Sequence, residues 1–315
     1  MDTGLRTEAA MIFPAISPAS FSNVGKFMLM NPAARRLSAE ADEVLGYSLL
    51  DRFRTAEGDY EESARIAFLV NCLAMAEWAT ETLGAEPVVY AGPSFGGTPA
   101  AVRSGALDFS EAVRLTALTG RRIEEYFAHE HRDVVTQSFA RTPEDRLAEL
   151  LSELDDRGDW YDVSCYVDHD FYMLSVREHR LDWLNARLRA LGGLPLSTMR
   201  PPMHSGAFRA LRETLESEVY ADVGFGDPAL PVVSDHDGSL LRSGGELRTL
   251  LLDAAVRPVR WPAVMRTLRD LGVGTLHVCG PDNLWGRVRC VTDHFEVVAL
   301  KPEVAMRPRR RDVAV

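Results

Sequence analysis

Apolar positions along this chain follow two periods: short runs of adjacent apolar residues alternate with longer stretches where they recur every three or four positions. Ala10-Met11-Ile12-Phe13 predicts a strand stopped by Pro14. Ile66, Leu69, Val70, Leu73, Met75 and Trp78 predict a helix over Tyr60 to Leu83, closed at Gly84. Pro87 to Tyr90 predicts a buried strand running straight into a glycine-rich turn, with a helix beginning right after it. A further helix is expected over Ser110 to Phe127, introduced by Asp108.

Between His131 and Arg200 the texture changes. Val134 to Phe139, Tyr161 to Val167, Phe171 to Val176 and Pro195 to Met199 predict strands, and Pro143 to Leu154 and Arg180 to Leu191 predict helices. That order, βαββαβ, is the ferredoxin-like split motif, so residues 131–199 are expected to form a small inserted subdomain. Residues 1–130 and 200–315 then build one larger α/β subdomain. Its later part holds strands at Leu230 to Ser234, Thr275 to Cys279 and Phe295 to Leu300, and helices near Gly245 to Ala255 and Trp261 to Leu271.

Composition narrows the functional classes. The 315 residues carry a formal charge of -11, which argues against a nucleic-acid partner. Positive charge is almost all arginine, since Lys26 and Lys301 are the lysines. Four cysteines, Cys72, Cys165, Cys279 and Cys290, lack any C-x-x-C spacing and are expected to be reduced and buried. The N-terminus lacks the pattern of a signal peptide, and no run approaches the roughly 18 uninterrupted apolar residues of a membrane span. A cytoplasmic protein without a membrane partner is expected.

Gly92-Pro93-Ser94-Phe95-Gly96 is a G-x-S-x-G segment between a buried strand and a helix, the arrangement of a nucleophile elbow. Glycines flank the serine because the turn is too tight for Cβ atoms, and the turn exposes the hydroxyl at the strand's C-terminal end. The backbone N–H of Phe95 then faces any oxyanion formed there. A serine nucleophile needs a base. Of eight histidines, His204 stands out, because Pro201 and Pro202 stiffen the loop that carries it out of the insertion.

Three segments together resemble the malonyl-CoA:acyl-carrier-protein transacylase family and the related polyketide-synthase acyltransferases. The family's F-P-G-Q-G-S-Q is similar to Phe13-Pro14-Ala15-Ile16-Ser17-Pro18-Ala19. Its G-H-S-x-G and G-A-L-x-F-x-x-A-V-R resemble Gly92 to Gly96 and Gly105 to Arg114, and its late H-S resembles His204-Ser205. Arg257-Pro258-Val259-Arg260-Trp261 resembles its N-P-V-x-W, and Gly280-Pro281 its later Gly-Pro. The resemblance implies an α/β-hydrolase-like large subdomain with an inserted ferredoxin-like one. It also implies an acyltransferase with a Ser94–His204 dyad. The histidine would be oriented by the main-chain carbonyl of Arg257, and the N–H of Ile16 would be the second oxyanion donor. No bound cofactor is implied; the acyl group arrives on the phosphopantetheine of a carrier protein, and a monomer is expected.

The family's arginine that pairs with a malonyl carboxylate falls on Thr119 here, and the elbow's usual histidine is Pro93. Burying an unpaired carboxylate is costly. The expectation is therefore transfer of a non-malonyl acyl group, such as an aminoacyl or dipeptidyl starter, between acyl-carrier proteins of a polyketide pathway. Thr119, Met203 and Pro93 would line the acyl pocket. Carrier proteins are acidic, so Arg187, Arg189, Arg200 and the tail Arg307 to Arg311 are the docking candidates. Hydrolysis of acyl carriers, malonyl-CoA:carrier transacylation and a non-catalytic binding role are the alternatives. Asp168-His169-Asp170 and Asp235-His236-Asp237 could place paired carboxylates on a metal, but such triplets more often form solvated turns; no metal is expected.

Overall fold

A computed structural model describes residues 8–306 apart from 18, 57 and 59. Pro18 of the opening motif and the Arg307 to Arg311 tail therefore lie outside the described residues. In chain order the elements are β1 (Glu8–Ile12), α1 (Phe21–Met30), α2 (Pro32–Leu45), α3 (Leu49–Arg54), α4 (Glu62–Leu83), β2 (Pro87–Ala91), α5 (Gly97–Arg103) and α6 (Phe109–His129). Then follow β3 (Val134–Ala140), α7 (Glu144–Asp156), β4 (Tyr161–Asp168), β5 (Phe171–Arg177), α8 (Leu181–Ala190) and β6 (Leu194–Met199). The chain returns through α9 (Arg209–Glu218), β7 (Val232–Val233), β8 (Leu240–Leu241), α10 (Gly244–Asp253), β9 (Val259–Arg260), α11 (Trp261–Asp270), β10 (Val273–Cys279), α12 (Arg289–Thr292), β11 (Glu296–Leu300) and α13 (Pro302–Ala305).

The larger sheet has the order β11-β10-β1-β2-β7-β8, parallel except for the β7–β8 hairpin. Side chains alternate across it. Met11, Phe13 and Tyr90 enter the main core with α4 and its neighbours, while Ala10, Ile12, Val89 and Ala91 enter a second core on the opposite face. The N-terminal helices α1 to α3 went unmarked by periodicity alone. α4 is apolar nearly all round because it sits inside the helical layer. By length and composition it could cross a membrane, yet 67% of its apolar window is buried within the molecule, as befits a core helix.

The smaller sheet runs β6-β3-β5-β4, antiparallel, which is the ferredoxin-like order; α7 and α8 cover one face with their own core. β9 adds to β4 in parallel, through Cys165↔Val259 and Tyr166↔Arg260. Cys165 and Val167 of β4 share the second core with Val259 and Trp261, so the small sheet is packed onto the large one. The fold is thus two α/β subdomains, a large α/β-hydrolase-like one and a smaller ferredoxin-like one.

The turn after β2 shows why its glycines are needed. A Cβ on Gly92 would lie 2.3 Å from Gly96 O, and one on Gly96 would lie 2.1 Å from Phe13 O. Both obstacles are backbone, so no side-chain adjustment relieves them. Gly96→Ala is expected to cost about 2–3 kcal/mol through overpacking, read as a lower midpoint in chemical denaturation; an unchanged midpoint would contradict the packing.

Candidate active site

The site forms at the C-terminal ends of parallel strands β2 and β7, where open α/β sheets leave their ligand crevices. Tyr90 pairs with Val232 and Ala91 with Val233, so the residues leaving the two strands emerge side by side. Ser94 follows β2 with φ 53, and Asp235 follows β7. The Asp235 Oδ2 accepts a hydrogen bond from the Ser94 N–H at 2.6 Å. Asp235 is buried, and desolvation raises its carboxyl pKa above the usual carboxylate range against the lowering effects of His236 and of the Ser94 amide.

His204 lies in the loop after β6, also left-handed at φ 65. Its Nε2 stands 2.8 Å from Ser94 Oγ, and its Nδ1 stands 3.0 Å from the carbonyl oxygen of Arg257. A carbonyl can only accept, so Nδ1 carries the proton and donates it, leaving the Nε2 lone pair toward the serine hydroxyl. Burial pushes the His204 pKa down to about 4, with a further lowering from His236 and a partial offset from the Arg257 carbonyl. The imidazole is neutral at pH 7 and able to take a proton.

Neighbouring contacts hold this loop. Ser205 is fully buried; its N–H donates to Ala255 O at 3.2 Å and its Oγ to Asp162 Oδ2 at 2.7 Å. The Gly206 N–H donates to the same carboxylate at 3.1 Å. Asp162 belongs to β4, so the small subdomain grips the histidine loop directly. Arg257 is itself tied to Asp237 at 3.0 Å.

The other expected residues fall as follows. Phe95 is the second residue of the helical turn that starts at Ser94, where amides have no carbonyl partner within the turn. The close approach of Gly96 to Phe13 O and Pro14 O brings the loop bearing Ile16 against the elbow. Pro93 is buried in the elbow, and Met203 packs half-buried against the main core. Thr119 lies on α6 beside the buried Tyr220 hydroxyl, with its Oγ1 buried and lacking a hydrogen bond of good geometry among the described residues. Arg187 is engaged by Glu149 and Glu153 and Arg200 by Glu178, while Arg189 is exposed.

Asp162 and the part played by Asp235 were not foreseen from the sequence. In the sequence Asp235 stands out only as part of an Asp-His-Asp triplet, and no local signal links it to a serine 141 positions away. Among the described residues no group of three His, Cys, Asp or Glu is placed to hold a metal ion. In the other triplet, Asp168 instead accepts from the amides of His169, Arg289 and Cys290.

A family model described as the VinK acyltransferase small domain matches residues 138–199. The malonyl CoA-acyl carrier protein transacylase of Escherichia coli K12 is 24% identical over 311 residues, covering 95% of this chain and 98% of that protein. The polyketide biosynthesis protein ThaF of Burkholderia thailandensis is 26% identical over 242 residues, covering 74% of this chain and 20% of that protein. Among solved structures, a malonyl-transacylase in complex with its type II polyketide acyl-carrier protein superposes with a TM-score of 0.82 at 23% identity, covering 92% of this chain and 95% of that one. The chain is homologous to the malonyl CoA-acyl carrier protein transacylases along nearly its whole length.

This homology corrects the expectation of a non-malonyl, aminoacyl or dipeptidyl acyl group: the proteins aligned end to end with this chain are malonyl transacylases. One helical position does not determine the charge of the whole pocket. A threonine at 119 removes one guanidinium, but a carboxylate can be paired from any element that borders the site.

The depressed His204 pKa carries a pH signature. Protonation removes the base, so the acylation rate of Ser94 is expected to stay level as pH falls from 8 to about 5 and to drop only on approaching about 4. A rate profile bending near 6.5, the ordinary histidine value, would contradict a base lowered by its surroundings.

Proposed function

We propose that this chain is a malonyl-CoA:acyl-carrier-protein transacylase that works through an ester on Ser94. The observation that carries the reading is the Ser94–His204–Arg257 carbonyl relay, with contacts of 2.8 and 3.0 Å, in a chain homologous to malonyl transacylases over 95% of its length. Ser94 Oγ attacks the thioester carbonyl as its proton passes to His204 Nε2. The oxyanion of the tetrahedral intermediate faces the Phe95 and Ile16 amides. Collapse expels the thiol of coenzyme A, which takes the proton back from His204. The phosphopantetheine thiol of a carrier protein then gives its proton to His204 and attacks the ester, which restores Ser94. The solved relative bound to its acyl-carrier protein supports a carrier as the partner, and exposed Arg189 suits an acidic one.

A malonyl group brings a free carboxylate, and Arg65 is the cation we propose for it. It is the one buried arginine among the described residues. Its Nη1 lies 3.4 Å from where a Cβ on Gly120, the neighbour of Thr119, would stand. One turn further along α4, the Phe68 ring packs against Phe95 at 6.0 Å between centroids. Among the described residues its ion-pair partner is Glu124, an exposed group at the long distance of 3.9 Å. Burial lowers the Arg65 pKa against the raising effect of Glu124, and its Nε donates to the Tyr60 carbonyl, leaving the guanidinium without a close carboxylate among the described residues.

Incubation with malonyl-CoA is expected to give a malonyl ester at Ser94 by mass spectrometry and, with a holo carrier protein, malonyl transfer; Ser94→Ala abolishes both. Absence of a malonyl ester in an enzyme that another acyl thioester loads would overturn the substrate. Arg65→Gln is expected to slow malonyl loading by about 10-fold or more while leaving acetyl loading within about 2-fold, since acetyl lacks the paired carboxylate. Equal losses with both donors would dismiss Arg65 as the carboxylate partner.

A further inference from the structure

The Asp235-His236-Asp237 triplet holds no metal-ligand cluster, yet its two carboxylates face the two halves of the dyad. Asp235 Oδ2 takes the Ser94 N–H at 2.6 Å, and Asp237 Oδ2 takes the Arg257 Nη2 at 3.0 Å, on the residue whose carbonyl meets His204. The segment between them is a closed turn. Gly238 N–H donates to Ser234 O at 2.9 Å, Ser234 N–H to Ser239 O at 2.8 Å, and Arg260 N–H to the Asp235 carbonyl at 2.7 Å. His236 is buried against the neighbouring segments, with Nδ1 3.4 Å from Pro258 O and Nε2 3.3 Å from Leu250 O.

We infer that this turn is the positioning element of the dyad, with Asp235 as the residue that holds the nucleophile's main chain. The inference rests on Ser94 and His204 being the dyad. A serine at φ 53 sits in a region that L-residues with a Cβ enter at a cost, and it remains there only if its surroundings impose it. The Asp235 carboxylate supplies that imposition. It is rigidly placed by β7, it is buried, and it accepts from the one amide whose direction follows the Ser94 φ rotation. Without it the N–H would lose this part-buried partner, and the chain could relax by swinging Oγ away from Nε2. Asp237 acts in the same sense and more weakly, because its ion pair with Arg257 is about half exposed. Neither aspartate touches the reacting atoms, so both are positioning residues.

The test uses the rate at which a fluorophosphonate labels Ser94 in the full-length protein, a reaction that needs the dyad but no particular acyl group. Asp235→Leu is expected to lower the maximal labelling rate by about 30-fold or more at an unchanged half-saturating concentration, in keeping with loss of a buried hydrogen bond to a charged group. Asp235→Asn, whose Oδ1 can accept the same N–H, is expected to recover to within about 5-fold of wild type. Because Asn also keeps the shape of Asp, the separation from a merely structural role is the fall in maximal rate at an unchanged half-saturating concentration. If Asp235→Leu fails to fold, Asp235→Ser withdraws the acceptor with a smaller change in packing and is expected to show the same loss. Asp237→Ala is expected to slow labelling by about 3-fold. Wild-type labelling rates in the folded Leu or Ser variant would overturn the role of Asp235, and an unchanged rate in Asp237→Ala would overturn the shared turn. A wild-type protein that the reagent does not label would overturn the dyad and the inference together. Labelling with the expected pattern in a protein that malonyl-CoA cannot load would retain the inference and discard the proposed substrate.

Discussion

At Ser94 the chain leaves a buried parallel strand, reverses within a few residues and enters a helix, with φ 53 at the serine itself. That conformation requires Gly92 and Gly96, because the backbone of one occupies the Cβ space of the other and the Phe13 carbonyl occupies the rest. The same contact draws the loop after β1 against the elbow, which brings the Ile16 region toward the serine. On the far side, the pairing of β2 with β7 places Asp235 where it can accept the serine amide. A single tight turn thus sets which neighbours can reach the nucleophile.

The histidine belongs to a different part of the molecule, and two contacts bring it into line. Arg257 O, between α10 and β9, fixes the ring's tautomer, and Asp162 in the small sheet fixes the loop through Ser205 and Gly206. Because β9 pairs with β4, the strand that follows Arg257 and the strand that carries Asp162 are neighbours in one sheet. Burial of the imidazole then keeps it neutral. A neutral base then faces a neutral hydroxyl before substrate arrives.

Much of this was legible in the sequence, for identifiable reasons. The elbow, the long helix before it and the βαββαβ insertion are carried by local pattern: a glycine pair around a serine, a 3.6 period, alternating strand runs. His204 was distinguished by the prolines preceding it. The helices from Phe21 to Arg54 gave a weaker signal, because their apolar stripes are short and interrupted by Asn31, Pro32 and Gly46, although Asn31 and Gly46 cap α2 in the structure. The two-residue strands β8 and β9 carry no period at all. Asp235 and Asp162 act across 141 and 43 positions of chain, and nothing in the composition of their neighbourhoods announces such partners.

An uncharged Thr119 does not decide the acyl group, because recognition of a carboxylate is not a property of one helical position. In the structure, α6 meets α4 face to face, and Arg65 reaches across to lie over Gly120, next to the threonine. A cation delivered from α4, as proposed for Arg65, would leave the α6 position free of charge, and the Thr119 hydroxyl is buried beside Tyr220. Pocket chemistry in such a fold is set jointly by the helices that converge on the elbow. A substitution on one of them therefore acquires meaning only with its partners in view.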